Sequence, residues 1–177
     1  MGFIAAKKEV KPMLLSKMRR INLLRALGGD ILLSHEMQLE RLFMQHGTTS
    51  CFIHSVNVAC LSILLVQFLH LHVDMRSMVR GALLHDFFLY DWHESDRAHR
   101  LHGFTHPGRA LMNADRVFDL NNIEKNVIQR HMFPLTPIPP RCKEAYVVCL
   151  ADKICALNET FHQSRLLRRL IRRHGNV

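Results

Sequence analysis

The sequence predicts an all-α protein with a single compact domain. The chain has 177 residues, which is enough for one domain with a buried core. Apolar residues make up 48% of it, so its composition is not that of a disordered chain. Only eight glycines and six prolines occur, and long stretches free of both favour helices. No segment alternates apolar and polar residues convincingly, so no strand is expected.

The first part of the chain predicts three helices. Residues 13–27 place apolar side chains at helical spacing among basic ones, and the Gly28-Gly29 pair is expected to end this helix. A second helix is predicted over about residues 31–45. The hydroxyl residues 48–50 offer N-caps for a long third helix that reaches about His70.

The remainder of the chain predicts four more helices. A fifth helix is expected to begin only at Thr105 or His106, because Gly103 disfavours an earlier start, with Pro107 in its first turn. The proline-rich residues 134–140 predict an extended crossover. The other helices are predicted over residues 75–85, 121–131 and 141–174.

Histidines and aspartates recur in a fixed order inside these helical segments. The series is His54, the adjacent pair His85-Asp86, His106, His131 and Asp152. Its neighbouring members are 31, 20, 25 and 21 residues apart, which is about one helix and one loop each time. Imidazole and carboxylate ligands suit Fe, Mn, Co, Ni or Zn. Six such ligands exceed the need of one tetrahedral ion and match two adjacent ions with open positions.

The series resembles the HD-domain superfamily of metal-dependent phosphohydrolases from about His54 to about Glu159. The resemblance implies a helical bundle with its metal site between the central helices. In this single HD domain, residues 1–47 would form an N-terminal helical extension, residues 48–160 the metal-binding core and residues 161–177 the basic end of the last helix. The segments that carry the resemblance are Cys51-Phe-Ile-His54-Ser-Val-Asn-Val-Ala59, Gly81-Ala-Leu-Leu-His85-Asp86, Thr105-His106-Pro-Gly108, Arg130-His131 and Leu150-Ala-Asp152-Lys153-Ile154.

The resemblance also implies a ligand set and a reaction. Two divalent transition-metal ions are expected, Fe or Mn foremost, with Co, Ni and Zn as alternatives. Asp86 would bridge them and would be essential to catalysis; His54, His85 and Asp152 would complete one site, and His106 and His131 the other. A metal-activated hydroxide would cleave a phosphate ester or anhydride of a small nucleotide-like substrate. The pattern leaves open whether that substrate is a monoester, a diester or a pyrophosphate.

Three further residues are candidates for the catalytic site. Arg130 precedes one proposed ligand and Lys153 follows another, so both are predicted to contact phosphate. For each of them a surface ion pair is the alternative role. His102 lies four residues before His106 and is a candidate for orienting a ligand or contacting substrate.

Two other functions remain open at the level of the sequence. The same ligand order is used by diiron oxygenases similar to myo-inositol oxygenase. A non-catalytic HD module that binds a nucleotide or RNA is the third hypothesis. It depends on the basic ends, since residues 1–30 carry seven Lys or Arg against two acids, and residues 162–177 carry five Arg and no acid. The chain lacks the Gly-Tyr-Pro motif of cyclic-di-GMP phosphodiesterases, which disfavours that substrate.

The termini and cysteines predict a cytoplasmic protein that does not enter a membrane. The first residues lack the apolar core of a signal peptide, and the most apolar run, residues 58–71, is interrupted by polar side chains. The five cysteines form no CxxC pair and are expected to be reduced thiols. The oligomeric state does not follow from the sequence.

Overall fold

The computed structural model describes residues 15–46, 49–89 and 102–174, and their side chains apart from those of residues 17, 46, 102 and 162–174. Within these ranges the chain forms seven α-helices and one small antiparallel sheet, so the all-α prediction is confirmed. The elements are α1 (Lys17–Leu32), α2 (His35–Leu39), β1 (Met44–His46), β2 (Thr49–Ser50), α3 (Cys51–Phe68), α4 (Met75–Leu84), α5 (His102–Val117), α6 (Asn122–Arg130) and α7 (Lys143–His174).

Side-chain caps fix where three central helices begin. Ser50 accepts a hydrogen bond from the backbone of Ile53 at the start of α3, and Asp74 caps α4 in the same way. Asn121 caps α6 as part of a capping box, in which the carboxylate of Glu124 accepts from the Asn121 backbone. The predicted positions of these three helices and of the last helix are confirmed.

The core is built around the pair α3 and α4. Helix α3 packs against α4 and α7, α4 also packs against α1 and α6, and α5 packs against α6. Val58 and Ile63 of α3 and Leu83 of α4 are almost entirely buried in this core. Burying one such branched side chain contributes about 1.5–3 kcal/mol, so these residues stabilise the packing of α3 against α4.

Gly28 interrupts the first helix with a kink, but the two glycines do not end it, so that prediction is only partly right. Helix α1 continues to Leu32 with a kink at Gly28, whose φ is −133° and ψ is 21°. A Cβ atom at Gly28 would lie 2.5 Å from Cδ1 of Leu83. The glycine therefore serves the close approach of α1 to α4.

Two further local predictions are wrong. The predicted helix over residues 31–45 is replaced by the short helix α2 and the strand β1, which pairs with β2. Ser34 caps α2, so the hydroxyl residue begins a new element inside the region expected to be continuous. Residues 131–138 form turns and bends and not an extended crossover, with a cis peptide bond between Phe133 and Pro134.

A buried arginine ties three helices together. Arg80 of α4 donates a 2.7 Å hydrogen bond to Glu124 of α6 and pairs with Asp30 of α1. Arg80 and Glu124 are 6% and 2% exposed, so each satisfies a charge that would be costly to bury alone. The tie fixes α4 and α6, which both end at the site described below.

Among the described residues, α3 is long and apolar enough to cross a membrane by length and composition, and half of it is buried inside the protein. Core helices of soluble proteins meet the same criterion.

Candidate metal centre

Five helices bring the six predicted ligands together. His54 lies in the first turn of α3, His106 in α5 and Asp152 in α7, whereas His85-Asp86 and His131 follow the last residues of α4 and α6. All six side chains are buried. They form two groups of three, and the ligand atoms in each group lie within 4.8 Å of one another. The groups are His54, His85 and Asp152, and Asp86, His106 and His131.

Two of the histidines are positioned by the same local arrangement. His85 and His131 are the C-cap residues of α4 and α6. In each, Nδ1 lies 2.8 Å from the backbone carbonyl three residues earlier, that of Ala82 or Ile128. A carbonyl only accepts, so Nδ1 carries the hydrogen and satisfies an otherwise unpaired helix carbonyl. In the neutral ring, Nε2 then presents its lone pair to the centre, as metal ligation requires.

His54 is oriented by a carboxylate. Its Nδ1 lies 2.9 Å from Oε2 of Glu159, while its Nε2 lies 3.1 Å from Oδ1 of Asp152. Glu159 also accepts a hydrogen bond of 3.2 Å from the side-chain amide of Asn57. A hydrogen on Nδ1 shared with Glu159 leaves Nε2 of the neutral ring as a ligand atom.

Asp86 places its two oxygens against different histidines. Oδ2 lies 3.3 Å from Nε2 of His85 and 3.6 Å from Nε2 of His54. Oδ1 lies 3.2 Å from Nε2 of His106 and 3.5 Å from Nε2 of His131. One carboxylate therefore faces both groups, which is the arrangement of a bridging ligand.

Polar neighbours hold Asp86 in this position. Gln45 of β1 donates a 2.5 Å hydrogen bond to Oδ2, and the thiol of Cys51 donates to the carbonyl oxygen of the Gln45 side chain. Gln45 is 7% exposed and Cys51 is 1% exposed. The short sheet thus has a clear local role, because it carries Gln45 to the centre.

The buried carboxylates of the cluster are stable in their ionised form only with positive charge beside them. Burial opposes ionisation of Asp86, but the charge of His85 and contacts with His106 hold the pKa of Asp86 well below its usual range. Burial opposes a charge on His54, yet Asp152 and Glu159 raise the pKa of His54 to about 9. Burial and the charges of His85 and His106 lower the pKa of His131 to about 3. The positive charge can come from protons on some of the histidines or from bound cations.

The donor set fits divalent transition metals. Nε2 of His85 and Oδ1 of Asp86 are buried and form no hydrogen bond within the part of the chain that the structure describes. Such atoms are costly to bury without a partner, and both face the cluster. Nε2 of His106 and Nε2 of His131 lie 2.8 Å apart, close enough for one proton to be shared or for a cation to replace it. Four imidazoles and two carboxylates suit Fe, Mn, Co, Ni or Zn.

The other predicted site residues have different surroundings. The Arg130 guanidinium makes no hydrogen bond or ion pair within the described residues, and its Nε is buried. The Lys153 amine instead donates to the His131 carbonyl at 2.9 Å and contacts the Cys149 carbonyl and thiol at 3.4 and 3.3 Å. Lys153 thereby secures the turn that carries His131.

His102 begins α5 one turn before His106, and its side chain lies outside the described residues. The expectation that Gly103 prevents a helix there is wrong, because α5 runs through Gly103 and Pro107. Pro107 lacks the N–H that would bond to the Gly103 carbonyl, so the helix forgoes one hydrogen bond near its start.

Sequence reasoning missed two residues of the site, Gln45 and Glu159. Glu159 lies seven residues after Asp152, and two helical turns place both on one face of α7. That spacing could have identified it. Gln45 had no comparable signal, since it lies in a region where a continuous helix was expected.

No known family model, no curated protein and no solved structure matches the chain. Its fold and its cluster define an all-α protein with a buried candidate metal centre of histidines and aspartates.

Proposed function

We propose that this protein is a dinuclear metal-dependent phosphohydrolase of the HD-domain type, which cleaves a phosphate ester or anhydride of a small nucleotide-like substrate. The observation that carries the proposal is the position of Asp86. Its two carboxylate oxygens face two different groups of histidines at 3.2–3.6 Å. A carboxylate shared in this way suits two adjacent metal ions better than one.

The chain's residues have separable tasks in this proposal. Bound metal ions would supply a hydroxide nucleophile at neutral pH and positive charge beside the phosphate. His54, His85 and Asp152 would hold one ion, and His106 and His131 the other, with Asp86 between them. The hydrogen bonds from Nδ1 of His85 and His131 to backbone carbonyls keep both Nε2 atoms directed inward. The helices around the site shield the ligands from bulk solvent, because all six ligand side chains are buried.

Arg130 is the side chain that best supports phosphate as the substrate group. Its guanidinium has no hydrogen-bonding or charged partner among the described residues, although its Nε is buried. An unpaired buried donor is costly and is well matched by a phosphate oxygen. Arg130 is the last residue of α6 and immediately precedes the ligand His131, so its backbone lies next to the proposed metal site. Lys153 is not assigned this role, since its amine is bonded to backbone carbonyls.

The proposal is tested by metal analysis combined with a panel of phosphate substrates. Protein purified without chelator is expected to contain up to two Fe or Mn ions, or Co, Ni or Zn, and to hydrolyse at least one nucleotide-like ester or anhydride. Asp86→Ala should reduce both metal content and hydrolysis to background, because it removes the shared carboxylate. Asp119→Ala, at an exposed position between α5 and α6, is the matched control and should change neither.

Other outcomes would support the alternative functions. Full hydrolysis by Asp86→Ala would contradict a dinuclear hydrolase. Consumption of O₂ by the ferrous protein with an organic substrate, without hydrolysis of any phosphate compound, would identify an oxygenase. Tight RNA binding by a protein that binds no metal would instead identify a binding module.

A further inference from the structure

Three of the proposed histidine ligands have a described partner at Nδ1, the ring nitrogen that faces away from the centre. His85 and His131 donate from Nδ1 to neutral backbone carbonyls. His54 lies against a carboxylate, because its Nδ1 is 2.9 Å from Oε2 of Glu159. An anionic partner behind an imidazole increases its basicity and fixes the ring, and both effects strengthen metal binding.

Glu159 is itself held in place. Asn57, one turn after His54 on α3, donates its side-chain amide to Oε1 of Glu159 at 3.2 Å. The Glu159 side chain is 9% exposed, so solvent screens its contact with His54 only weakly. Two residues of α7 therefore contact His54 of α3. Glu159 contacts its Nδ1, away from the centre, and Asp152 contacts its Nε2, at the centre.

Glu159 lies behind one ligand of one proposed metal site. We propose that Glu159 is a positioning residue for His54, and that it strengthens the binding of metal to the site of His54, His85 and Asp152. This inference rests on the proposed dinuclear metal centre. It assigns to Glu159 a role in metal affinity and not in contact with substrate.

The test is a titration of metal-free protein with Co²⁺ or Mn²⁺ in competition with a chelator. The wild-type protein should bind two ions. Glu159→Gln should weaken the binding of one ion by about 10–100-fold and leave that of the other unchanged, since loss of an outer partner typically has an effect of this size. Glu159→Ala should have the larger effect, because Gln can still accept the hydrogen bond from His54. Asn158→Ala, at the neighbouring exposed position on α7, is the matched control.

Two background variants assign the affected site. In His106→Ala the remaining ion should be held by the group containing His54, and adding Glu159→Gln should weaken its binding. In His54→Ala the same addition should have no effect, because Glu159 acts through His54. Chemical denaturation of each variant without metal separates lost affinity from lost folding.

The outcomes distinguish this inference from the proposed function. Wild-type protein that binds no metal would overturn the metal centre and this inference with it. If Glu159→Gln binds both ions as tightly as the wild-type protein does, only the role of Glu159 is overturned. If Glu159→Gln weakens metal binding as much in the His54→Ala background as in the wild type, this role is also overturned, because the effect would then not pass through His54.

Discussion

The side-chain amide of Gln45 donates a 2.5 Å hydrogen bond to Oδ2 of Asp86. The two residues are 41 positions apart, and the small sheet β1–β2 brings them together. The amide orients the carboxylate so that Oδ1 faces His106 and His131 while Oδ2 faces His54 and His85. Gln45 thus orients Asp86, the proposed ligand that faces both groups of the centre.

Replacement of Gln45 should therefore weaken both metal sites together. Gln45→Ala is expected to lower the affinity of each by about 10-fold or more, because Asp86 loses the partner that fixes its rotamer. This differs from Glu159→Gln, which should affect only the site that contains His54. The measurement is the same chelator competition with Co²⁺ or Mn²⁺.

Gln38→Ala is the control for Gln45→Ala. Gln38 also donates its side-chain amide, but to the backbone carbonyl of Leu32, away from the cluster. It should alter stability slightly and metal affinity not at all. A Gln45→Ala protein with unchanged affinity at both sites would show that Asp86 keeps its position without the amide.

Arg130→Ala should separate substrate binding from metal binding. The variant is expected to keep both metals, because the guanidinium makes no hydrogen bond or ion pair with any described residue. It should lower kcat/KM for a phosphate substrate by about 10–100-fold, which corresponds to loss of one hydrogen bond to a charged group. Metal analysis and steady-state kinetics on the same preparation provide the check.

Arg116→Ala, at the exposed end of α5, controls for a general loss of positive charge. Arg130→Lys should retain more activity than Arg130→Ala, because lysine keeps the positive charge although it cannot form bidentate hydrogen bonds with phosphate. Unchanged kinetics in Arg130→Ala would remove this residue from the proposed phosphate site.

The ligand series was the part of the molecule most predictable from the sequence. Histidine and aspartate inside apolar helices stand out because an unpaired polar group is costly there, and all six converge in the structure. Helices with strong caps, such as α3 and α6, were predictable for a similar reason, since Ser50 and Asn121 satisfy defined backbone donors.

Elements that depend on tertiary packing were not predictable in the same way. Gly28 reads as a helix end from the sequence, yet it is used for contact with Leu83 on another helix. The strand β1 is three residues long, too short for a periodic pattern to show. The partners of the ligands, Gln45 and Glu159, are ordinary polar residues until the fold places them beside Asp86 and His54.

A second glycine controls the distance between two ligand-bearing helices. A Cβ atom at Gly81 of α4 would lie 2.7 Å from Cβ of Val127 of α6. Each position is four residues before a ligand, His85 or His131, whose rings lie 4.9 Å apart. Gly81→Ala should destabilise the protein by about 1–3 kcal/mol and weaken metal binding, because overpacking separates α4 from α6.

Denaturant unfolding and metal competition test the prediction for Gly81. Gly29→Ala is the matched control, since no atom of the described residues outside its own stretch of helix backbone lies within 4 Å of its added Cβ, and it should be neutral or stabilise by about 0.4–1 kcal/mol. Combining Gly81→Ala with Val127→Ala should recover part of the loss. A Gly81→Ala protein as stable as the wild type would mean that α4 and α6 accommodate the extra carbon.

The last prediction concerns the buried carboxyl group of Glu40 and the pH dependence of stability. Glu40 is 1% exposed, accepts a hydrogen bond from the backbone of Leu89, and has a second oxygen without a hydrogen-bond partner in the described chain. Burial, together with the charge of Asp86, raises the pKa of Glu40 to about 8, although the Leu89 hydrogen bond and the charge of His85 oppose this. Folding therefore favours the protonated carboxyl.

Because this pKa is higher in the folded chain than in the unfolded one, the folded state binds more protons between about pH 4.5 and pH 8. The contribution of Glu40 to stability should fall as pH rises through that range. Glu40→Gln stays neutral at every pH and keeps an acceptor for Leu89. The stability of Glu40→Gln relative to the wild type should thus increase from pH 5 to pH 8.5, by roughly a few kcal/mol.

Urea denaturation of both proteins at several pH values measures this difference directly. The comparison cancels the titration of His54 and of the other groups that the two proteins share. Asp119→Asn, at an exposed position between α5 and α6, provides the control for removing an acidic group away from this site. If Glu40→Gln and the wild type lose stability in parallel as pH rises, Glu40 is ionised in the folded protein, and a positive partner must neutralise it.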